Sequence, residues 1–468
     1  MVEAENAPDE SATRRIRDED GAIDPALVEQ VSQAVLLSDI TTLRGIVADM
    51  HEADLGALLE ALDADERPRL ISLLGSYFDF TALTEVDDTV REEILEELSA
   101  ETVAEGVREL DTDDAVYILE DLNEADKQEV LDKLTPSERI ALQQGLDYPE
   151  DTAGRRMQSE VIAVPPFWTV GQTIDFLRDT ADLPDRFFEI FVADPAHHFV
   201  GTVRLDRLLR NRRPVVISQL LEEDRRVVEA TDELEDVARL FQRYNLVAAP
   251  VIDATGRLVG VLTIDDIVDV IEEAADEDVK QLGGVNPDEE LSDPVRKIIW
   301  SRFSWLFVNL MTSFLAAAVM SLFENQLAKV VALAILAPIV ASQGGNAATQ
   351  TMTVAVRALA TQELGAWNLR RFFTRELVVG LVNGFGFAVI TGAIAAAWFG
   401  SAGLGAVIAI AMVITLISAA IAGVLIPLAL DKLDIDPAIA SGTFVTTVTD
   451  VVGFFAFLGI ATVLLGLG

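Results

Sequence analysis

The chain has 468 residues, with 35 lysines and arginines against 77 aspartates and glutamates, three histidines and no cysteine, so its formal net charge is −42. The lack of cysteine excludes disulfides, thiolate metal sites, iron–sulfur clusters and cysteine nucleophiles. The sequence also contains no P-loop, which excludes that class of ATPase. Half of the residues are nevertheless apolar, which indicates that charge and apolarity lie in different parts of the chain.

The charge changes at about residue 300. Residues 301–468 hold seven basic and seven acidic groups, which leaves 28 basic and 70 acidic groups in residues 1–300. An acidic soluble half is therefore joined to a neutral membrane half. Nucleic acid is a poor partner for such a surface, because phosphate binding requires clustered lysine and arginine. The six lysines against 29 arginines resemble proteins of salt-in halophiles, whose acidic surfaces serve solubility.

The first 148 residues are predicted to be a tail followed by a helical domain. Residues 1–22 lack the apolar core of a signal peptide and are expected to be a disordered acidic tail. Residues 23–148 are amphipathic, and short helices of this kind must stack to bury their apolar stripes, which predicts an all-α superhelical domain. Its leucines recur every 12 residues, at Leu98, Leu110, Leu122, Leu134 and Leu146. The units open with the helix-capping residues Ser99, Asp111, Asn123 and Thr135. The simplest interpretation is a scaffold without a site of its own.

Residues 149–264 contain an internal repeat. Residues 192–209 and 251–268 align at an offset of 59, and each copy has the pattern strand, turn, strand, helix. The two α/β copies, 149–216 and 217–264, resemble a pair of CBS modules, which are regulatory and bind adenosine compounds or ions between the repeats. The second copy keeps that family's ribose-binding pattern at Thr263 and Asp266, whereas the first has Arg204 and Arg207 there. The resemblance therefore implies one possible site for ATP or another adenosine nucleotide.

Residues 265–295 are predicted to be a helix that connects the soluble half to the membrane half. Its carboxylates lie three and four residues apart, so several share one face of the helix. They are Asp266, Asp269, Glu273, Asp276, Glu277 and Asp278. Two interpretations remain open: a solvated halophilic surface, or a stripe whose repulsion is relieved by divalent cations.

Residues 296–468 are predicted to form an all-α membrane domain of five helices. About 20 apolar residues are enough to span a bilayer. The uncharged runs are 303–323, 330–356, 377–430 and a last run from about Pro437 or Thr443 to Leu467. The run 377–430 is long enough for two spans, divided near Gly400–Gly405. Basic residues precede the first span and separate the second from the third. By the positive-inside rule the N-terminus is cytoplasmic and the C-terminus lies outside, in a multi-pass protein of the cell membrane.

Two features of the predicted membrane spans are not needed by a segment that only anchors a protein in a membrane. Gly344 and Gly345, flanked by polar residues, are predicted to break the second span and to expose carbonyls. Together with the amide oxygens of Asn346 and Gln350 these suit a hard cation. The second feature is Asp450, because a carboxylate at that depth is costly and by default marks a transport pathway. The alternative for Asp450 is a buried aspartate that is hydrogen-bonded to Thr446 or Thr447.

The domain order and two motifs resemble the MgtE-type magnesium channels and transporters. The order is an acidic helical N-domain, a CBS pair, an acidic connecting helix and five spans, and the resemblance begins at about residue 25. The motifs are Gly344-Gly345-Asn346 with Gln350 in the second span, and Thr447, Asp450 and Gly453 in the fifth. Because many unrelated proteins carry a CBS pair, these two motifs are the specific part.

The resemblance implies a homodimer in lipid that carries Mg²⁺ into the cytoplasm through a pore lined by the second and fifth spans. In that family the aspartate that matches Asp450 holds hydrated magnesium, and an aspartate before the span matches Asp436. Regulatory Mg²⁺ is bound in the cytosolic part, and closes the pore, through positions that match Asp114, Gly154, Glu233, Glu235, Asp266, Asp269, Glu277 and Asp278. Departures from the family pattern at Asn245, Ala274 and Thr443 concern the cytosolic sites more than the pore.

Three alternatives remain beside a magnesium channel. A transporter for cobalt or manganese would share the architecture, although the scarcity of histidine and the lack of cysteine favour a hard ion. A cation-coupled exchanger is a second alternative. A CBS sensor tethered to the membrane is the third, but it would need neither Asp450 nor the glycine-rich span. An enzyme is not expected, because no nucleophile–base pair or catalytic metal cluster is recognisable.

Overall fold

The computed structural model describes residues 16–19, 21–48, 50–180, 183–184, 186–222, 226–365, 367–433 and 435–467. The chain divides into two compact units, Met1–Glu272 and Glu273–Gly468. Most of the predicted tail lies outside the described residues. The tail boundary at residue 22 is wrong, however, because Ile16 packs against the helical core and Arg17 Nε donates to Asp54 Oδ1 at 2.7 Å.

The first unit begins with short stacked helices. They are α1 (Pro25–Leu37), α2 (Ile40–Val47), α3 (Glu52–Ala61), α4 (Arg67–Leu74), α5 (Asp88–Glu97), α6 (Ala100–Val107), α7 (Thr112–Glu120), α8 (Glu124–Lys133) and α9 (Pro136–Leu146). The predicted capping residues occupy the N-cap positions of α6 to α9. Thr135 forms a capping box with Glu138, which satisfies the first free amides of α9. One continuous apolar core runs through the stack, which confirms the all-α superhelical prediction.

The two CBS modules repeat each other strand by strand. The first contains β1 (Ala163–Val164), α10 (Val170–Asp179), β2 (Glu189–Ala193), β3 (Phe199–Arg204) and α11 (Leu205–Leu209). The second contains β4 (Val228–Glu229), α12 (Leu234–Tyr244), β5 (Ala248–Ile252), β6 (Leu258–Thr263) and the start of α13 (Ile264–Leu282). In each sheet a parallel pair of strands is followed by an antiparallel hairpin, in the orders β1-β2-β3 and β4-β5-β6. The hairpins coincide at the offset of 59 residues that the sequence indicates.

The segment just before the first module packs on the second one. The amide of Ala153 donates to Asp232 O at 2.9 Å, and Ala153 and Met157 lie in the apolar core of the second module. Gln158 pairs with Val261 of β6. Residues 153–158 therefore belong structurally to the second module, and their assignment to the first is wrong. Chain order alone could not show this, because the segment crosses over before the first strand.

The connecting helix is shorter than predicted. The helix α13 ends at Leu282, and Gly284, with φ of +72°, turns the chain. Residues 283–294 contain turns. Near the end of this segment, Asp293 Oδ1 lies 2.7 Å from Nζ of Lys297 in the next helix. The prediction of one helix to residue 295 is therefore wrong, because Gly283, Gly284 and Pro287 interrupt the helical pattern.

The second unit contains the membrane helices. They are α14 (Val295–Ser321), a short α15 (Glu324–Lys329), α16 (Val331–Ala360), α17 (Leu369–Phe399), α18 (Ala402–Asp431) and α19 (Pro437–Leu464). Five helices of the described chain are long and apolar enough to cross a membrane, as predicted. Gly400 ends α17 with φ of +62°, at the predicted division between two spans. Large apolar side chains on the outer faces of α14 and α17, such as Phe314 and Phe385, are exposed, as lipid-facing residues are.

The predicted break in the second span is wrong. The helix α16 is continuous from Val331 to Ala360, with Gly344, Gly345 and Pro338 inside it. In hydrocarbon a helix loses several kcal/mol for each backbone group that it leaves unpaired, so small residues there favour close packing over unwinding. The carbonyls near Gly344 remain in the helix, and they are not the exposed cation ligands that the sequence suggested.

Candidate ion pathway and cytosolic acidic cluster

One face of α16 is polar and exposed. Asn346 and Gln350 lie on it, and their side-chain amides make no hydrogen bond to any described residue. The full set of exposed polar residues on this face is Ser342, Asn346, Thr349, Gln350 and Thr353. Their spacing of three and four residues forms a continuous stripe along the helix. The opposite face, with Gly344, Ala348 and Met352, is buried. The helix therefore buries small and apolar residues and exposes polar ones, whereas a helix that only anchors a chain in lipid would expose apolar residues.

The predicted pore residues Gly344 and Gly345 of the second span lie at its seam with the fifth span. A Cβ added to Gly344 would lie 3.5 Å from Thr449 Cβ, and one added to Gly345 would lie 4.0 Å from Thr446 Cγ2. The two glycines therefore bring α16 close to the part of α19 that carries Asp450. The structure thus joins the two motifs that the sequence separates by about a hundred residues.

Asp450 is half-buried and has no hydrogen bond or ion pair to any described residue. The hydroxyls that could have bonded to it are used by the backbone: Thr446 donates to Gly442 O at 2.8 Å, and Thr447 to Thr443 O at 2.6 Å. The alternative of an aspartate that is bonded to Thr446 or Thr447 is therefore wrong. An unpaired carboxylate inside an apolar helix is costly unless water or a cation reaches it.

Asp436 has a local partner. Its Oδ1 accepts a hydrogen bond from the amide of Ala438 at 2.7 Å, so it caps the N-terminus of α19. The side chain remains exposed, and its second oxygen is available to an ion. The capping bond holds the carboxylate at the start of the fifth span.

A cluster of carboxylates forms where α7 of the helical domain approaches the first turns of α13. We call Asp113, Asp114, Asp266 and Asp269 the acidic cluster. Burial and the nearby charge of Asp266 raise the pKa of Asp113 well above its usual range, and they raise that of Asp114 to about 7. Burial likewise raises the pKa of Asp266 to about 6. The carboxylates are thus held together without enough positive charge to balance them.

Asp113 is a member that the sequence did not reveal. It is buried, and its Oδ1 has no hydrogen-bond partner among the described residues. Glu85 is a second one, since its pKa is raised by burial and by Asp269. The run Asp113–Asp114, which begins two residues after the cap Asp111, was the available signal. Only the fold shows which of these acidic side chains face inward.

Two contacts hold α7 against the CBS pair. At its N-terminus Thr112 Oγ1 donates to Glu160 and contacts Ser159 Oγ at 2.7 Å. At its C-terminus Glu120 accepts from Arg155 Nε at 3.0 Å and pairs with Arg156 at 2.9 Å. These contacts fix the helix that carries Asp113 and Asp114, so the like charges of the cluster remain close.

The other predicted metal-binding residues lie apart from the cluster or have different partners. Glu233 is exposed at the N-cap of α12, and Glu235 pairs with Arg239 at 3.1 Å. Gly154 packs where a Cβ would lie 2.8 Å from Ala230 O. In the second unit Asp278 lies 3.5 Å from Arg357, and Glu277 is half-buried. Within the described ranges no group of three or more histidine or carboxylate side chains has the geometry of a metal centre.

A small cavity lies between the two CBS modules. Its lining includes Glu160, Glu189, Phe191 and Thr263, and its volume is about 30 Å³. Small-molecule sites usually have about 300 Å³ or more, so an adenine nucleotide requires side chains to move. Thr263 Oγ1 donates to Asp266 Oδ2 at 2.6 Å, which brings the two predicted ribose-binding residues together.

Comparisons with known proteins agree with this architecture. The family model of the MgtE divalent cation transporter matches residues 337–460, that of the MgtE intracellular N domain matches 50–151, and that of the CBS domain matches 212–273. A magnesium transporter MgtE of Thermus thermophilus is 30% identical over 94% of this chain and 98% of its own length. One of Bacillus subtilis is 29% identical over 92% and 95%.

Among solved structures, the cytosolic domain of the Mg²⁺ channel MgtE in complex with ATP is 28% identical, with a TM-score of 0.48, and covers 52% of this chain and 99% of that one. Identity of 30% over nearly the full length of both chains defines the family, whose members are transporters and not enzymes. The chain belongs to the MgtE family of divalent cation transporters.

Proposed function

We propose that this protein is a magnesium channel or transporter that carries Mg²⁺ across the cell membrane into the cytoplasm. Two observations support the proposal: α16 carries an exposed polar stripe, and Asp450, on the helix α19 that packs against α16, has an unpaired, half-buried carboxylate. Neither feature is compatible with contact to lipid tails, and both suit a water-filled passage. The relatives from two organisms carry the name magnesium transporter.

The proposed pathway needs a second copy of the chain. In one copy the polar stripe of α16 is exposed and Asp450 is half-buried, so in this proposal a partner supplies the opposite wall. Closed two-fold symmetry is the commonest arrangement of such assemblies. In a homodimer two Asp450 carboxylates would approach one ion.

The residues present favour contact with hydrated Mg²⁺. Magnesium releases its water slowly and demands octahedral geometry, so amide and carboxylate oxygens that contact its water shell are better suited than a closed cage. Asn346 and Gln350 offer such amides, and Asp450 offers the charge. With the N-terminal half in the cytoplasm, inward movement of a divalent ion gains about 4.6 kcal/mol per 100 mV of membrane potential, twice the single-charge value.

We further propose that cytosolic Mg²⁺ closes the pathway by binding at the acidic cluster. Ions that bridge Asp114 and Asp266 would relieve the repulsion from Asp266 that, after burial, raises the pKa of Asp114. The unpartnered Oδ1 of Asp113 supplies a further oxygen. When cytosolic Mg²⁺ is low, the unrelieved repulsion favours separation of α7 from α13, a population shift driven by ion binding. In this proposal the other predicted residues contribute to further ion sites, namely Glu233, Glu235 and Gly154 in the first unit and Glu277 and Asp278 in the second.

A nucleotide site at the CBS pair is a second proposal. The hydrogen-bonded pair Thr263 and Asp266 supports it, because two adjacent oxygens match the two hydroxyls of a ribose. Calorimetric titration of the purified protein with ATP is expected to show binding that Thr263→Val weakens. Equal heats for Thr263→Val and the unmodified protein would contradict the assignment.

The pathway is tested by uptake in a host that depends on added magnesium. Asp450→Ala is expected to abolish Mg²⁺ uptake, whereas Glu363→Gln, which neutralises an exposed carboxylate between two spans, should retain it. Flux that survives Asp450→Ala would contradict the pathway and favour a tethered CBS sensor. Equal uptake of cobalt or manganese would indicate a different cargo.

Voltage and gating are tested by current recording. A current that reverses with voltage and the Mg²⁺ gradient alone indicates a channel, whereas dependence on a second ion indicates an exchanger. The double variant Asp266→Asn with Asp269→Asn should no longer close at millimolar cytosolic Mg²⁺. Unchanged closure would refute the gating role of the acidic cluster.

A further inference from the structure

The fourth span contributes one side chain to the seam between the second and fifth spans. Thr415 of α18 is fully buried. A Cβ added to Gly344 of α16 would lie 2.5 Å from Thr415 Cγ2, and one added to Gly453 of α19 would lie 3.5 Å from the same methyl group and from Thr415 Oγ1. The glycines of the two pore motifs therefore contact a single side chain that belongs to neither motif.

Thr415 also differs in its hydrogen bonding from several other threonines of the membrane helices. Thr353, Thr391, Thr447 and Thr462 each donate the hydroxyl to a backbone carbonyl four residues earlier in their helix. The hydroxyl of Thr415 is buried and has no partner among the described residues. Its methyl group points at Gly344. A buried hydroxyl without a partner costs free energy. Since the hydroxyl gains no hydrogen bond in this rotamer, what the side chain contributes here is the van der Waals contact of its methyl group with Gly344.

From this geometry we infer that Thr415 is a positioning residue: its methyl group, fitted against Gly344, sets the distance of α16 from α18 and thereby the place of Asn346 relative to Asp450. The inference rests on the proposed pathway. It assigns to Gly344 a packing role in place of the carbonyl ligand role that the sequence suggested.

The tight contact at Gly344 gives the inference a specific consequence. At 2.5 Å from the Thr415 methyl carbon, a new methyl group at Gly344 cannot fit unless α16 moves or the Thr415 side chain rotates. Since α16 packs on both α18 and α19, that movement alters the width of the passage beside Asp450. Overpacking of this kind is relieved when the opposing methyl group is removed.

The test is a rescue experiment on the full-length protein, with uptake normalised to the amount of transporter in the membrane. Gly344→Ala is expected to lower Mg²⁺ uptake about tenfold, the factor to which about 1.4 kcal/mol corresponds, and to change the ratio of Mg²⁺ to Mn²⁺ uptake. Adding Thr415→Ser, which removes the methyl group and keeps the hydroxyl, should restore both quantities. Gly386→Ala serves as the matched control, because a Cβ there meets nothing within 4 Å.

Thr415→Val separates shape from hydrogen bonding. It keeps the shape and removes the hydroxyl, so uptake and the Mg²⁺ to Mn²⁺ ratio should remain as in the unmodified protein. A loss as large as that of Gly344→Ala would assign the role to the hydroxyl and overturn the inference. Failure of Thr415→Ser to rescue Gly344→Ala, while Asp450→Ala abolishes uptake, would overturn it and leave the proposed pathway intact. Uptake that survives Asp450→Ala would instead refute the pathway itself.

Discussion

Replacing Asp114 by asparagine removes one charge from the acidic cluster and keeps the size of the side chain. Burial and the Asp266 charge raise the pKa of Asp114 from its usual 3.8 to about 7. At about 1.4 kcal/mol per pH unit this difference corresponds to about 4 kcal/mol. Because the side chain retains some contact with solvent, we halve it, to about 2 kcal/mol. Without magnesium at pH 8, the variant should be more stable than the unmodified protein by this amount.

The sign of the pH dependence follows from the direction of the change in pKa. A carboxyl whose pKa is higher in the folded state than in the unfolded one stabilises the fold at low pH, and this contribution is lost as the pH rises through about 7. Below about pH 4 the aspartate is protonated in both states, so the difference from asparagine should disappear there, grow between about pH 4 and about pH 7, and level off above that. Saturating Mg²⁺ should remove the advantage of the variant, because a carboxylate binds the ion better than an amide does.

The assay is amide hydrogen exchange of α7 in the full-length protein, with EDTA or with Mg²⁺ at constant ionic strength. Constant ionic strength matters because salt screens the same repulsion that Mg²⁺ relieves. The matched control is Asp126→Asn on α8, an exposed aspartate outside the cluster. Faster exchange of α7 in Asp114→Asn than in the unmodified protein, without Mg²⁺ at pH 8, would refute the reasoning. A difference that is equally large at pH 4 would also refute it.

Three further predictions concern other parts of the chain. Glu189→Gln should slow proteolysis of the first CBS module at pH 8 but not at pH 4, because burial raises the pKa of Glu189 to about 7; equal effects at both values would contradict this. Arg155→Met removes a buried partner of Glu120 and should lower the stability of the packing of α7 by about 2 kcal/mol or more, which faster amide exchange of α7 would report. Unchanged exchange would show that the ion pair does not hold the helix. Gly423→Ala should impair membrane assembly, because its Cβ would lie 2.8 Å from Ala348 O; normal melting and uptake would contradict that.

The local parts of the fold could be predicted from the sequence. Ser99, Asn123 and Thr135 cap helices because their side chains bond to amides two or three residues away, which is a property of the local chain. The offset of 59 residues predicted two equivalent hairpins, and the long uncharged runs predicted the five membrane helices. Asp450 was recognisable because a carboxylate in an apolar run is a strong signal by itself.

The contacts between distant residues were decided by the tertiary structure. The sequence assigned Gly344 and Gly345 to a helix break, whereas α16 is intact and the missing side chain of Gly344 allows close approach to Thr415. Asp113 and Asp266 lie far apart in the chain and come together only when α7 docks beside α13. Local periodicity carries no information on such neighbours, because burial and the repulsion between charges depend on which helices pack together.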